Sequence, residues 1–528
     1  MESRIQVVLA CVCVAGWVRA VEHVMTGSNA SGTSSFNSGT NWDDNLPPTD
    51  GNTYRTAGYV LRTPEGTNAF VFAGVQLTVN SSGVMAWKST GPVTVADLVL
   101  EGTIGHWFGN LPNDAQLFGA VTIPAGATGR FECSQAENDT RVFRIYAPLS
   151  GSGNLQVTMG HSNALKQVSL FADNSAFTGR SLLRGLHKFH FCQEKALGAA
   201  PAAFTANQLE LSGATLLATN SLTLDDPTRG ITLNNTLNVG SQIYPGGGFE
   251  VTGANTATVA CVISGGGPFA KRGSGTLVLA TNNTYTGLTT VQAGTLWLAS
   301  NALPASASVV ATGSTAVVAG SGALSNLALT AGGRLAAGKG AWDIMNLSVL
   351  NTTNVTFALD LSEADPDTTL IRVSGTLSKQ PLQVFQFVVN TNNTTSVPYK
   401  VLSAPNLGEF TDADFCVTPP WIGDLSRAAD GQGGQVLLFT PTMPENIAFK
   451  TGSDALGDTG FTNALWSTSA PPTSDKTYVF RAGSLRTPAS GSLTFPGRRL
   501  VVDGMSMALK GPTGVPTITN LVMMNDAS

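Results

Sequence analysis

Three groups of side chains in this sequence have types and spacings that could do chemistry. The first is acidic: Asp360, Glu363, Asp365 and Asp367 lie in one short segment, and Arg372 is close behind. Hard carboxylate oxygens at such spacing can hold Ca²⁺. With Arg372 as proton acceptor across a groove, the set would suit elimination from an acidic polysaccharide. The simpler reading is a polar turn before a strand beginning at Leu370, and Asp225-Asp226 before Pro227 reads as a turn in the same way. The second group is His187, His190 and Cys192. On a strand His190 and Cys192 share a face, as zinc ligands can, but no second ligand pair lies nearby in sequence, so packing is the simpler reading. The third is aromatic: Trp42 with Tyr54, and Trp466 much further on. Exposed, these rings could stack on sugars. Buried, they would form the small core of a module together with Phe36.

No other motif for catalysis or cofactor binding is present. There is no G-x-S-x-G elbow, no P-loop and no H-E-x-x-H. The runs Gly246 to Gly248 and Gly265 to Gly267 read as turns, because no helix comes after them to receive a phosphate. The sequence therefore implies no catalytic residue, no cofactor and no metal site. Lysine and arginine number 29 against 34 acids, a net charge of −5. That balance gives no electrostatic footprint for nucleic acid or anionic lipid.

The elements that must position these residues are strands. Charged residues are only 12% of the 528, aromatics 7%, and glycine alone numbers 58. Such a composition describes many short strands joined by tight turns. Ala196 to Ala206 could form a short helix, which Pro201 would limit. At the N-terminus, Arg4, the apolar run Val7 to Val18, and Val18-Arg19-Ala20 read as a signal peptide cleaved before Val21. That run is too short for a membrane anchor, and no later segment could span a bilayer as a helix. Cys11 and Cys13 would leave with the signal. Cys133, Cys192, Cys261 and Cys416 are scattered, which fits free thiols better than a disulfide framework, although three pairings remain open.

Repetition is the most informative feature. Trp42, Pro47-Pro48-Thr49, Tyr54 and Leu61-Arg62-Thr63-Pro64 return, with Phe36, at one nearly constant offset. The second copy is Phe461, Trp466, Pro471-Pro472-Thr473, Tyr478 and Leu485-Arg486-Thr487-Pro488. The match continues with Phe72 and Phe495, Leu77 and Leu500, Lys88 and Lys510, and Leu98 and Leu521. The chain thus reads as one long unit and the opening of a second, with its continuation expected downstream of Ser528. A shorter period of roughly twenty residues lies inside. Leu277 with Leu279, Leu296 with Leu298, Leu327 with Leu329, and Leu347 with Val349 would point inward, while Val278 and its neighbours point outward. Leu155 with Val157, Leu209 with Leu211, and Leu222 with Leu224 repeat the form. One such coil cannot fold alone, but stacked coils bury a continuous stripe.

The segment GSGTLVLATNNTYTGLTTVQAGTLWL, from Gly273 to Leu298, resembles the autotransporter-associated β-strand repeat, also called the passenger-associated transport repeat. Asn283, Tyr285, Gly287, Thr289 and Gly294 carry the resemblance, and a degenerate copy runs from Gly151 to Phe177-Thr178-Gly179. The resemblance implies a right-handed parallel β-helix passenger of bacterial origin, secreted or held at the cell surface, without catalysis. Further β-rich repeats, then a sorting tail or an outer-membrane barrel of the autotransporter kind, are expected downstream of Ser528.

The expected fold is all-β: a parallel β-helix with a β-rich N-terminal head and an antiparallel cap. The expected divisions are a signal at 1–20, a head at 21–130, the β-helix at 131–349 with its repeat at 273–298, a cap at 350–440, and a second, truncated head at 449–528. The cap rests on Leu370 to Val373, Val384 to Val389, Tyr399 to Leu402 and Val436 to Phe439, read as antiparallel strands. The functional expectation is a displayed structural passenger. A carbohydrate-binding adhesin, with an extracellular polysaccharide as partner, and a lyase-like β-helix are the alternatives.

Overall fold

The computed structural model describes residues 20–29, 35–106, 114–133, 142–159, 167–235, 238–239, 242–243, 245–337, 340–350, 355–362, 364–390, 396–419, 422–431, 434–454, 460, 464–488, 493–508 and 515–524. Residues 1–19 of the signal segment, Glu363, Phe461 and Lys510 lie outside these. The described residues form strands and short 3₁₀ turns, with no α-helix. Where a short helix was possible after Ala196, the chain makes only the 3₁₀ turn Glu194–Leu197. The chain divides into two compact units, one of Met1–Leu216 with Asn238–Tyr244, the other of Leu217–Leu237 with Pro245–Ser528.

In the first unit two parallel ladders run the length of the stack. One joins Glu22–Val24, Thr53–Arg55, Gln76–Val79, Pro92–Leu100, Ala115–Thr122, Val142–Ile145, Gln167–Leu170 and Lys188–Phe191. The other joins Val60–Arg62, Val84–Ala86, Thr103–His106, Thr128–Cys133, Asn154–Met159, Ser181–Arg184 and Thr205–Ser212. The segment expected as a separate head is therefore built of the same parallel coils as the stretch from 131 to 212.

The second unit shows why the leucine spacing works. Leu222, Ala257, Leu277, Leu296, Val318, Leu335, Phe357, Phe387 and Val417 are register partners in one parallel ladder. From Ala257 onward every member of that column is buried. Alternation puts one residue in two inward, so each coil adds one layer to a continuous apolar column. Fully burying such a side chain is worth roughly 1.5–3 kcal/mol, and only neighbouring coils supply the burial. A second parallel ladder runs from Gly247–Val251 through Phe269–Arg272, Thr289–Val291, Ser308–Thr312 and Gly322–Thr330 to Trp342–Leu350.

Between 355 and 441 the two pairing modes coexist. Tyr399–Ala404 and Gly423–Ala429 both pair antiparallel with Gln435–Pro441. Ile371–Val373 and Phe385–Asn390, expected as antiparallel, instead extend the parallel ladders. Alternation of apolar residues fixes which face is buried but not strand direction, which depends on how the connections run. Beyond them, Ile447–Phe449, Thr477–Phe480, Arg499–Asp503 and Leu521–Met524 make a further parallel ladder.

Candidate functional site

The acidic segment does not assemble as a Ca²⁺ cradle among the described residues. Asp360 ends the strand Val355–Asp360, and its Oδ1 accepts from Ser362 N at 3.1 Å and Ser362 Oγ at 2.6 Å. Asp365 accepts from Asp367 N at 3.0 Å and from Thr368 Oγ1 at 3.0 Å. The backbone bond, then the hydroxyl bond, holds this carboxyl below the usual range. Asp367 faces Lys400 Nζ at 3.5 Å. Arg372 donates Nε to Asp343 Oδ1 at 2.5 Å, its register partner on the preceding rung. That bond raises its pKa further. Asp360, Asp365 and Asp367 thus each have a local partner, and Arg372 is engaged by Asp343 rather than Asp360.

His187 is buried with Nδ1 3.1 Å from Gly185 O, and burial pushes its pKa down to about 4. It is neutral at physiological pH. His190 packs on Phe171 at a ring distance of 5.4 Å, at the end of a row in which Phe118, Tyr146 and Phe171 stack at 4.7 and 4.9 Å. Burial, then nearby Arg144, lowers its pKa. Cys192 and Cys416 are half-buried and Cys261 is buried. The side chain of Cys133 is not among those described.

Among the described residues, the group with metal-ligating spacing is one the sequence did not suggest: His23, Asp43 and Asp44. His23 Nδ1 lies 2.9 Å from Asp43 Oδ1 and 3.3 Å from Asp44 Oδ2. The bridge between Met25 and Trp42 brings the segments together, a pairing no local pattern announces.

Trp42 and Trp466 are core residues, each 1% exposed, so neither can stack on a sugar. Trp42 meets Tyr54 edge-on at 4.9 Å and 72°, and Trp466 meets Tyr478 at 4.8 Å and 74°. Tyr54 OH accepts from Thr49 N at 2.9 Å, and Tyr478 OH from Thr473 N at 2.8 Å. Asn45 and Ser469 share a left-handed backbone, at φ 57° and 53°. The two copies thus fold alike locally and differ in their side chains. Registers place Ala448 where the first copy has His23. The amide bonds to Val24 O and Phe449 O place Ser467 where it has Asp43. Thr468 then stands where the first copy has Asp44.

In the short repeat and around residues 149–196, polar side chains tie coil to coil. Asn283 is 3% exposed. Its Oδ1 accepts from Ile263 N at 2.8 Å and its Nδ2 donates to Ala302 O at 2.8 Å, so it bridges the rungs on either side. Its type and place suggest a turn residue; its role is to satisfy buried backbone. Asn174 does the same in the first unit, accepting from Leu149 N at 2.7 Å and donating to Ala196 O at 2.7 Å. Tyr285 is buried with its hydroxyl 2.7 Å from Thr289 Oγ1. Lys271 is fully buried, and its Nζ donates to Arg272 O, Gly273 O and Ala293 O at 2.7, 2.7 and 2.9 Å. Gly294 sits at φ +66°, where a Cβ would come 2.3 Å from Gly275 O, so the coils can approach only with glycine there.

Residues 269–298 match the family model of the passenger-associated transport repeat. The matched segment contains Lys271, Asn283, Tyr285 and Gly294, and it extends the motif upstream to Phe269. Neither the curated proteins nor the solved structures contain a match to this chain. No helix among the described residues is long and apolar enough to cross a membrane, which says nothing of strands.

Proposed function

We propose that this chain is a secreted or cell-surface β-helix passenger whose role is structural display rather than catalysis. The observation that carries the reading is the repeat at 269–298 set inside long parallel ladders, with an apolar buried column and polar ties directed to backbone. Tyr285, Lys271 and Asn283 are all bonded within the stack rather than poised for proton transfer. Residues 1–20 would serve as the signal, and residues 449–528 would open a second unit like 21–130. Residues 131–349 would contribute the repeat-bearing coils of the β-helix, and within 350–440 the antiparallel strands Gly423–Ala429 and Gln435–Pro441 would cover the last parallel rungs. A covering segment of that kind would protect exposed strand edges from pairing with other chains.

The competing reading as a lyase is tested directly. The purified chain is incubated with Ca²⁺ and polygalacturonate or alginate, and unsaturated products are followed by ultraviolet absorbance. No turnover is expected. Turnover that disappears in Asp365→Ala or Arg372→Ala would replace the display reading with a lyase.

A further inference from the structure

Trp297, within the matched repeat, is 46% exposed. It lies on the strand Gly294–Leu298, between inward Leu296 and Leu298, so alternation turns it out of the stack. Its register partner on the next rung is Ala319. Further along the same ladder, Ala336 pairs with Ala358 and Ala358 with Val388. Small side chains on successive rungs leave a trough beside the indole, with a cavity volume of about 630 Å³. Ser321, Asp360, Ser362 and Asn390 line it together with Trp297, Ala336 and Ala358.

We infer that this trough is a binding site for a neutral oligosaccharide or polysaccharide chain. Three features select that ligand. An exposed indole with a flat alanine floor presents an electron-rich face to the C–H face of a pyranose ring. The Asp360 carboxylate, whose Oδ1 is held by Ser362, the Asn390 amide and the Ser321 hydroxyl lie beside it and offer acceptors and donors for sugar hydroxyls, the mix of apolar wall and few polar groups that defines a ligand site. The trough crosses the rungs from Gly294–Leu298 to Phe385–Asn390. At about 4.8 Å per rung that is roughly 15–20 Å, enough for a chain of several rings. Asp360 makes the site unfavourable for an acidic polymer, so neutral sugars are preferred. The tryptophans of the repeated heads are buried, and the sugar-stacking role falls to Trp297 instead. Such binding depends on the geometry of this ladder and not on secretion.

The test is affinity electrophoresis of the full chain through gels containing hydroxyethylcellulose, galactomannan, laminarin or polygalacturonate. Trp297→Ala and Asp360→Asn are run beside it, with thermal melting to show that both variants fold. Retardation is expected on at least one neutral polymer and not on polygalacturonate, and Trp297→Ala should weaken it about tenfold or more, as loss of a central aromatic anchor does. Asp360→Asn should weaken it less. No retardation on any neutral polymer, or retardation unchanged in Trp297→Ala, would overturn the assignment. Sedimentation equilibrium covers the other occupant: self-association that Trp297→Ala abolishes would assign the trough to a second copy of this chain, against the saccharide.

Discussion

Lys450 Nζ lies 2.8 Å from Asp454 Oδ1, and both side chains are wholly excluded from solvent. The first copy of the head has Met25 and Asn29 at these places. The bridges Met25 to Trp42 and Lys450 to Trp466 align the first pair of positions. The bonds from Arg62 N to Asn29 Oδ1 and from Arg486 N to Asp454 Oδ2, both 2.8 Å, align the second. Two changes of nearly constant shape thus distinguish a neutral pair from an ion pair. Removing one partner of a buried pair leaves the other charge unpaired, typically a loss of 3–5 kcal/mol, whereas replacing both can be neutral. Lys450→Met should therefore destabilise the C-terminal ladder by about 3 kcal/mol or more. Lys450→Met with Asp454→Asn should recover most of that. Urea unfolding of the single and double variants checks it, and additive losses would refute the coupling.

Asn283 carries a second prediction. Its Oδ1 is the acceptor for Ile263 N, whereas Ala302 O also receives Asn283 N at 3.1 Å. Asn283→Ala should leave the Ile263 amide unpaired and cost about 1–3 kcal/mol. Asn282→Ala, at an exposed neighbour, should cost almost nothing. Faster amide exchange at Ile263 in the first variant alone is the expected readout. Equal effects at both positions would show that Asn283 acts only as a turn residue.

The inward leucines are legible in the sequence, because a period of two has only one way to bury Leu277 and Leu279 together. The repeat from Gly273 to Leu298 is legible because its asparagine, tyrosine and glycines are tied to fixed places in a coil. The burial of Asn283 is not, since asparagine in a loop reads as a turn until the rungs above and below are known. The His23, Asp43 and Asp44 group is hidden for the same reason: it depends on pairing between distant segments. Trp297 stands out less than Trp42 and Trp466, whose repetition marks a shared shape of core rather than an exposed face. Strand direction between 355 and 441 is undetermined by pattern alone.

Lys271 gives a pH dependence. Burial lowers its pKa from 10.5 to about 8. Between those values the unfolded chain binds a proton that the folded chain does not, so stability rises with pH across that window. Below about 8 both states are protonated and the penalty of burying the charge is complete; above 10.5 it is gone. Lys271→Met lacks this titration. The stability of the parent chain relative to Lys271→Met should therefore improve as pH rises from about 7.5 to about 10.5. Denaturant midpoints of the two proteins, measured in parallel, check the sign. A constant difference across that range would mean that the three carbonyl bonds offset the desolvation.

Display of this β-helix outside the cell is tested most directly by determining the N-terminus and location of the protein in its source organism. Cells are fractionated, the chain is captured with an antibody raised against residues 142–350, and its first residues are identified by mass spectrometry. A surface or extracellular pool beginning at Val21 is the expected result. A pool confined to the cytoplasm and beginning at Met1 would contradict it.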